Sequence, residues 1–166
     1  MLFRSGNSSI ARGINERGQV VGFSNTASGA RHGFFFENGV MTDLGTLPGG
    51  GVSEAFGINN LGQVVGFSFT ASGATHAFLF ENGVMVDLGP PGRSSFAFGI
   101  NERGQVAGIV MGLHAILFEN GVTIDLGTLP GGGISEAFGI NNRGQVVGFA
   151  FTASGATHAV LWTPGR

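Results

Sequence analysis

The chain contains no cysteine, no lysine and no tyrosine. Without cysteine, neither a disulfide nor a thiolate metal centre is possible, and the absence fits an oxidising or a reducing compartment equally. Without lysine, every positive charge is an arginine. Charged residues are few, 11% of the chain with a net charge of −2, well under the usual quarter. That leaves no basic field for nucleic acid and no acidic tail. No apolar run approaches the roughly 20 residues of a membrane helix. Met1–Gly6 has none of the charged and apolar blocks of a secretion leader, so the sequence as it stands predicts a soluble, unexported chain. One Trp accompanies 16 Phe. Sugar-binding and protein-binding surfaces favour Trp and Tyr, which pair a flat face with a polar edge, whereas Phe suits burial.

Motifs for several chemistries are also missing. There is no Gly-x-Ser-x-Gly elbow, no phosphate loop and no His-Glu-x-x-His pair. Pro48-Gly49-Gly50-Gly51 and Pro130-Gly131-Gly132-Gly133 are glycine-rich. Neither opens a helix with Lys-Ser/Thr, so both read as flexible connections.

Glycine is abundant, at 32 residues, and 42% of the chain is hydrophobic. The glycines recur at fixed places between apolar runs, which marks turns. Gly-Ile-Asn recurs from Gly13, Gly57, Gly99 and Gly139. Gly-Gln-Val follows each time, from Gly18, Gly62, Gly104 and Gly144. A histidine then opens an apolar run at His32, His76, His114 and His158. Three copies continue to Asp-Leu-Gly at Asp43, Asp87 and Asp125. Copies two and four share Ser-Glu-Ala-Phe-Gly-Ile-Asn-Asn, and copies one and three share Ile-Asn-Glu-Arg-Gly-Gln-Val. A two-repeat unit that was itself duplicated explains this alternation.

Each copy reads as four short strands. In copy two they fall near Ser53–Asn59, Gln63–Phe69, His76–Glu81 and Val84–Leu88. Asn38-Gly39, Asn82-Gly83 and Asn120-Gly121 predict type I′ hairpin turns, which need positive φ at both central residues. The strands are rich in Val, Phe and Ile, and no segment has helical periodicity with caps. A four-stranded unit of about 40 to 45 residues matches a propeller blade. A single meander cannot bury both faces and must pack on neighbours.

The expected fold is therefore all-β: a propeller of four four-stranded blades in one domain, 1–166. Its repeats run over approximately 7–45, 51–89, 93–127 and 133–166. The last copy stops after three strands, and residues 1–6 align with the end of a fourth strand, so the N-terminus is expected to complete the last blade and close the ring. Closure removes sheet edges. The alternatives are an eight-bladed ring from two chains and a β-solenoid, whose coils are usually shorter.

At these residues the chain resembles the HAF-repeat family of extracellular repeat proteins. The resemblance is carried by Gly57-Ile58-Asn59 to Gly66, His76-Ala77-Phe78-Leu79-Phe80 and Gly83 to Gly89. The His-Ala-Phe triplet is intact at His76. It varies to His32-Gly33-Phe34, His114-Ala115-Ile116 and His158-Ala159-Val160, and the family's Trp is kept at Trp162. The resemblance implies a bacterial, often secreted protein with a propeller-like array, and brings no catalytic residues.

Candidate chemistry divides into repeated residues and departures from the repeat. A ring of His32, His76, His114 and His158 on an axis would suit a metal. However, each opens a third strand, away from a propeller channel, so a hydrogen bond to a neighbouring turn is the expected role and no metal or cofactor is expected. Asn15, Asn59, Asn101 and Asn141 are expected to cap turns, and the aspartates to act similarly at strand ends. The departures are Ile10, Glu54, Phe96 and Glu136 at one first-strand position, and Arg12, Phe56, Phe98 and Phe138 two residues on. In a closed four-bladed ring Glu54 and Glu136 oppose across the axis, where two carboxylates hold a cation or act as acid and base. Arg12 then pairs with either. The competing reading leaves both acids in solvent at the channel mouth.

The function expected from the sequence is a non-enzymatic binding or structural module with an unknown ligand, acting as monomer or homodimer, with no nucleic acid or membrane partner. A hydrolase using Glu54 and Glu136 is the alternative.

Overall fold

The computed structural model describes residues 7–163. It is all-β, with no helix among the described residues. The first sheet comprises β1 (Ser9–Ile14), β2 (Val20–Asn25), β3 (Arg31–Glu37) and β4 (Val40–Asp43). The second comprises β5 (Ser53–Ile58), β6 (Val64–Phe69), β7 (Thr75–Glu81) and β8 (Val84–Asp87). The third comprises β9 (Ser95–Ile100), β10 (Val106–Val110), β11 (Ala115–Glu119) and β12 (Val122–Asp125). The fourth has three strands: β13 (Ser135–Ile140), β14 (Val146–Phe151) and β15 (Thr157–Trp162). All four are antiparallel meanders, so the strands expected in copy two are present within a residue or two of their expected ends. The segment expected to complete the last blade, residues 1–6, lies outside the described residues.

Local chemistry sets the hairpins. Asn82 has φ of 52° and Gly83 of 79°, as a type I′ turn demands, and Asn38-Gly39 and Asn120-Gly121 repeat the pair. In every first strand one extra residue interrupts the ladder, between Ala11 and Gly13, Ala55 and Gly57, Ala97 and Gly99, and Ala137 and Gly139. The bulged residues are therefore Arg12, Phe56, Phe98 and Phe138. A bulge leaves its residue unpaired and re-aims its side chain. These side chains line up from sheet to sheet. Arg12 lies 5.8 Å from the Phe56 ring, and Phe56–Phe98 and Phe98–Phe138 centroids are each 5.5 Å apart.

The core lies between sheets. The first strands of the second, third and fourth sheets each pack over the middle of the preceding sheet: β5 on β2 and β3, β9 on β6 and β7, and β13 on β10 and β11. Val21 and Ala55 share one buried cluster, Val65 and Ala97 a second, and Ala107 and Ala137 a third, all six completely buried. First strands also touch one another directly. A Cβ placed on Gly57 would sit 2.9 Å from the Phe98 carbonyl oxygen, so only glycine permits this approach. The fourth strands β4, β8 and β12 are mostly exposed.

The connection after β4 is not a loose linker. Leu47 is buried, its amide donates to Ser68 Oγ at 2.9 Å, and Thr46 Oγ1 donates to the Gly50 carbonyl at 3.1 Å. Sequence composition alone hides this, because the turn is fastened to the next repeat as well as to itself.

Candidate functional site

Two polar networks recur at opposite ends of the strands. The first begins at the loop between first and second strands. Asn59 Oδ1 accepts from the amides of Leu61 (3.1 Å) and Gln63 (3.0 Å). Its Nδ2 donates to the Asn101 carbonyl in the next sheet at 3.0 Å. Asn15 makes the same bond to the Asn59 carbonyl at 2.9 Å, and Asn101 to that of Asn141 at 2.9 Å. Asn141 caps its own loop and donates to Gln145, but reaches no further sheet among the described residues. The asparagines thus cap turns and also link consecutive sheets.

Glutamines extend this network. Gln19, Gln63 and Gln105 donate through Nε2 to Glu37 (2.6 Å), Glu81 (3.0 Å) and Glu119 (2.6 Å) at the ends of β3, β7 and β11. One residue past each asparagine is a further link. The Glu16 amide donates to Asn60 Oδ1 at 2.9 Å, the Asn60 amide to Glu102 Oε1 at 3.0 Å, and the Glu102 amide to Asn142 Oδ1 at 3.0 Å.

At the opposite end each histidine bonds an aspartate of its own sheet. His32 Nδ1 lies 2.9 Å from Asp43, His76 Nδ1 2.9 Å from Asp87, and His114 Nδ1 3.0 Å from Asp125. Each aspartate also accepts from the amide two residues on, that of Gly45, Gly89 or Gly127. The histidines serve separate strand pairs, and His158, which has no aspartate counterpart among the described residues, is exposed. No three His, Asp or Glu side chains gather into a metal-sized group among the described residues. His76 Nε2 is buried without a hydrogen-bond partner. His76 lines a cleft of about 570 Å³ together with Thr70, Ser72, Asp87 and Pro91.

The first-strand acids lie in unlike settings. Glu54 is 7% exposed and its Oε1 accepts from Arg31 Nη1 at 2.7 Å. Arg31 in turn lies 4.8 Å from the centre of the Phe23 ring. Arg12 sits over Phe23 and Phe56 and makes no ion pair with either glutamate. Glu136 is partly buried, and no hydrogen bond or ion pair joins it to Glu54.

Sequence reasoning passed over the serines. Ser53, Ser95 and Ser135 are fully buried, and each Oγ accepts from a third-strand amide of the preceding sheet, that of Gly33, Ala77 or Ala115, at 2.9 Å. Their recurrence at one repeat position was the available signal.

No family model matches the chain, and no curated protein matches it.

Proposed function

We propose that the chain is a non-enzymatic binding or structural module, built as consecutive blades of a β-propeller and belonging to a bacterial extracellular or envelope protein. One observation carries this reading: most polar residues that recur from repeat to repeat are engaged in holding the array. The asparagines, glutamines and serines join sheets or brace loops, and three of the four histidines bind aspartates. Catalytic groups in contrast need a free face toward a reacting atom. The radial arrangement is supported by first strands that touch one another while fourth strands stay exposed, and the extracellular setting by the motif resemblance.

Ligand contact belongs on the rim that bears the Thr-Ala-Ser-Gly loops, which begin at Thr26, Thr70 and Thr152 and join second to third strands. There the clefts beside His32–Asp43 and His76–Asp87 open. Repeat three is lower on this rim, because Met111 and Gly112 replace the longer loop.

The test is turnover on a panel of chromogenic glycoside, ester and peptide substrates, using the chain and its E54Q/E136Q double variant. Both are expected to show no turnover above buffer. Hydrolysis by the chain that vanishes in the double variant would replace this reading with that of a carboxylate-dependent hydrolase.

A further inference from the structure

Three buried junctions join the four sheets, and the counterparts of the residues that build them lie exposed at both ends of the array among the described residues. On the fourth sheet, Val147 is 50% exposed, whereas its counterparts Val21, Val65 and Ala107 are completely buried. Leu161 and Phe138 are 57% and 47% exposed on the same sheet. On the first sheet, Ala11 is exposed where Ala55, Ala97 and Ala137 are buried, and Ile14 is 70% exposed. Gly139 meets only Val147 of its own sheet, while Gly57 and Gly99 each abut the next first strand.

We propose that the outer face of the fourth sheet takes the first strand of a second copy of this chain, head to tail. The repeat alternation identifies the occupant. Copies two and four are alike, and copies one and three are alike, so a four-to-one junction has the junction between the second and third sheets as its template. In that template the Asn60 amide donates to the Glu102 carboxylate and Asn59 Nδ2 to the Asn101 carbonyl. Asn142 and Asn141 present the same donors at the tail. Glu16 presents the matching carboxylate at the head, without a partner among the described residues. Val147 then shares a buried cluster with Ala11 of the second copy, as Val65 does with Ala97. Arg12, exposed at the head, meets the Phe138 ring at the tail and extends the file that runs through Phe56 and Phe98.

Such a contact is heterologous and either closes into a ring or grows into a filament. Two copies closing as eight sheets follows only if the propeller reading holds. The docking itself rests on the junction chemistry alone.

Sedimentation equilibrium on the whole chain separates these outcomes. A particle of twice the 17.0 kDa chain mass is expected. V147R and A11R should each run as monomers that keep the β-sheet circular dichroism of the wild type, since both positions are exposed, and an equimolar mixture should recover a heterodimer through its one intact junction. T123R, on the exposed β12, should leave the wild-type mass unchanged. Open-ended growth abolished by V147R would uphold the docking and sink the closed propeller. A monomeric wild type, or a dimer indifferent to V147R and A11R, would overturn the docking.

Discussion

Asn59 Nδ2 donates to the Asn101 carbonyl across 3.0 Å, and both residues are only 3% exposed. One side chain thus caps its own loop and fastens the next sheet. Asn59→Ala strands several buried partners, each of which costs roughly 1–3 kcal/mol when unpaired. A loss of about 3 kcal/mol in urea unfolding is expected. Leu61→Ala, in the same loop but 65% exposed, should change stability by less than about 0.5 kcal/mol. Equal losses would mean that the buried bonds of Asn59 contribute no more than an exposed side chain of the same loop.

Close approach of first strands makes Gly57 a second test. Its absent Cβ would lie 2.9 Å from the Phe98 oxygen and 3.0 Å from Val65 Cγ2. Gly57→Val should cost about 3 kcal/mol or more, an overpacking penalty at a junction with no room to relax. Gly51→Ala, with nothing within 4 Å, should be neutral within about 0.5 kcal/mol. Thermal melts of the two variants decide the point.

The Arg31–Glu54 pair predicts measurable coupling. The carboxylate is buried and the guanidinium half exposed. A double-mutant cycle with Arg31→Ala and Glu54→Gln should give about 1–2 kcal/mol, between the values for exposed and buried pairs. A coupling near zero would show that Arg31 acts through its stacking on Phe23 instead.

His76 and Asp87 form the least exposed of the three histidine–aspartate pairs. Asp87→Ala should therefore cost more than Asp125→Ala, about 2 kcal/mol against about 1 kcal/mol. Chemical denaturation of both variants measures the difference, and the reverse order would contradict the ranking by burial.

The strands were legible because turn chemistry and repetition agree. Asn82-Gly83 specifies its turn whatever surrounds it, and a motif found four times fixes its own boundaries. The first-strand bulges were not legible. Ala55-Phe56-Gly57 reads as plain alternation, and the extra residue emerges only when the strand pairs with β6. In the sequence the asparagines read as turn caps, which is half of what they do. The other half is a bond to a residue 42 positions away, and no local pattern encodes it. Glu54 and Glu136 stood out as departures from the repeat, yet the partner of Glu54 is Arg31, from the third strand of the preceding sheet. That pairing depends on how far one sheet overlaps the next.

Side-by-side packing of consecutive sheets is most directly measured by nuclear Overhauser contacts in a methyl-labelled sample. Cross-peaks linking Val21 to Ala55, Val65 to Ala97 and Ala107 to Ala137 are expected, since these side chains share the three buried clusters. A spectrum with contacts inside each sheet and none across these pairs would contradict the account.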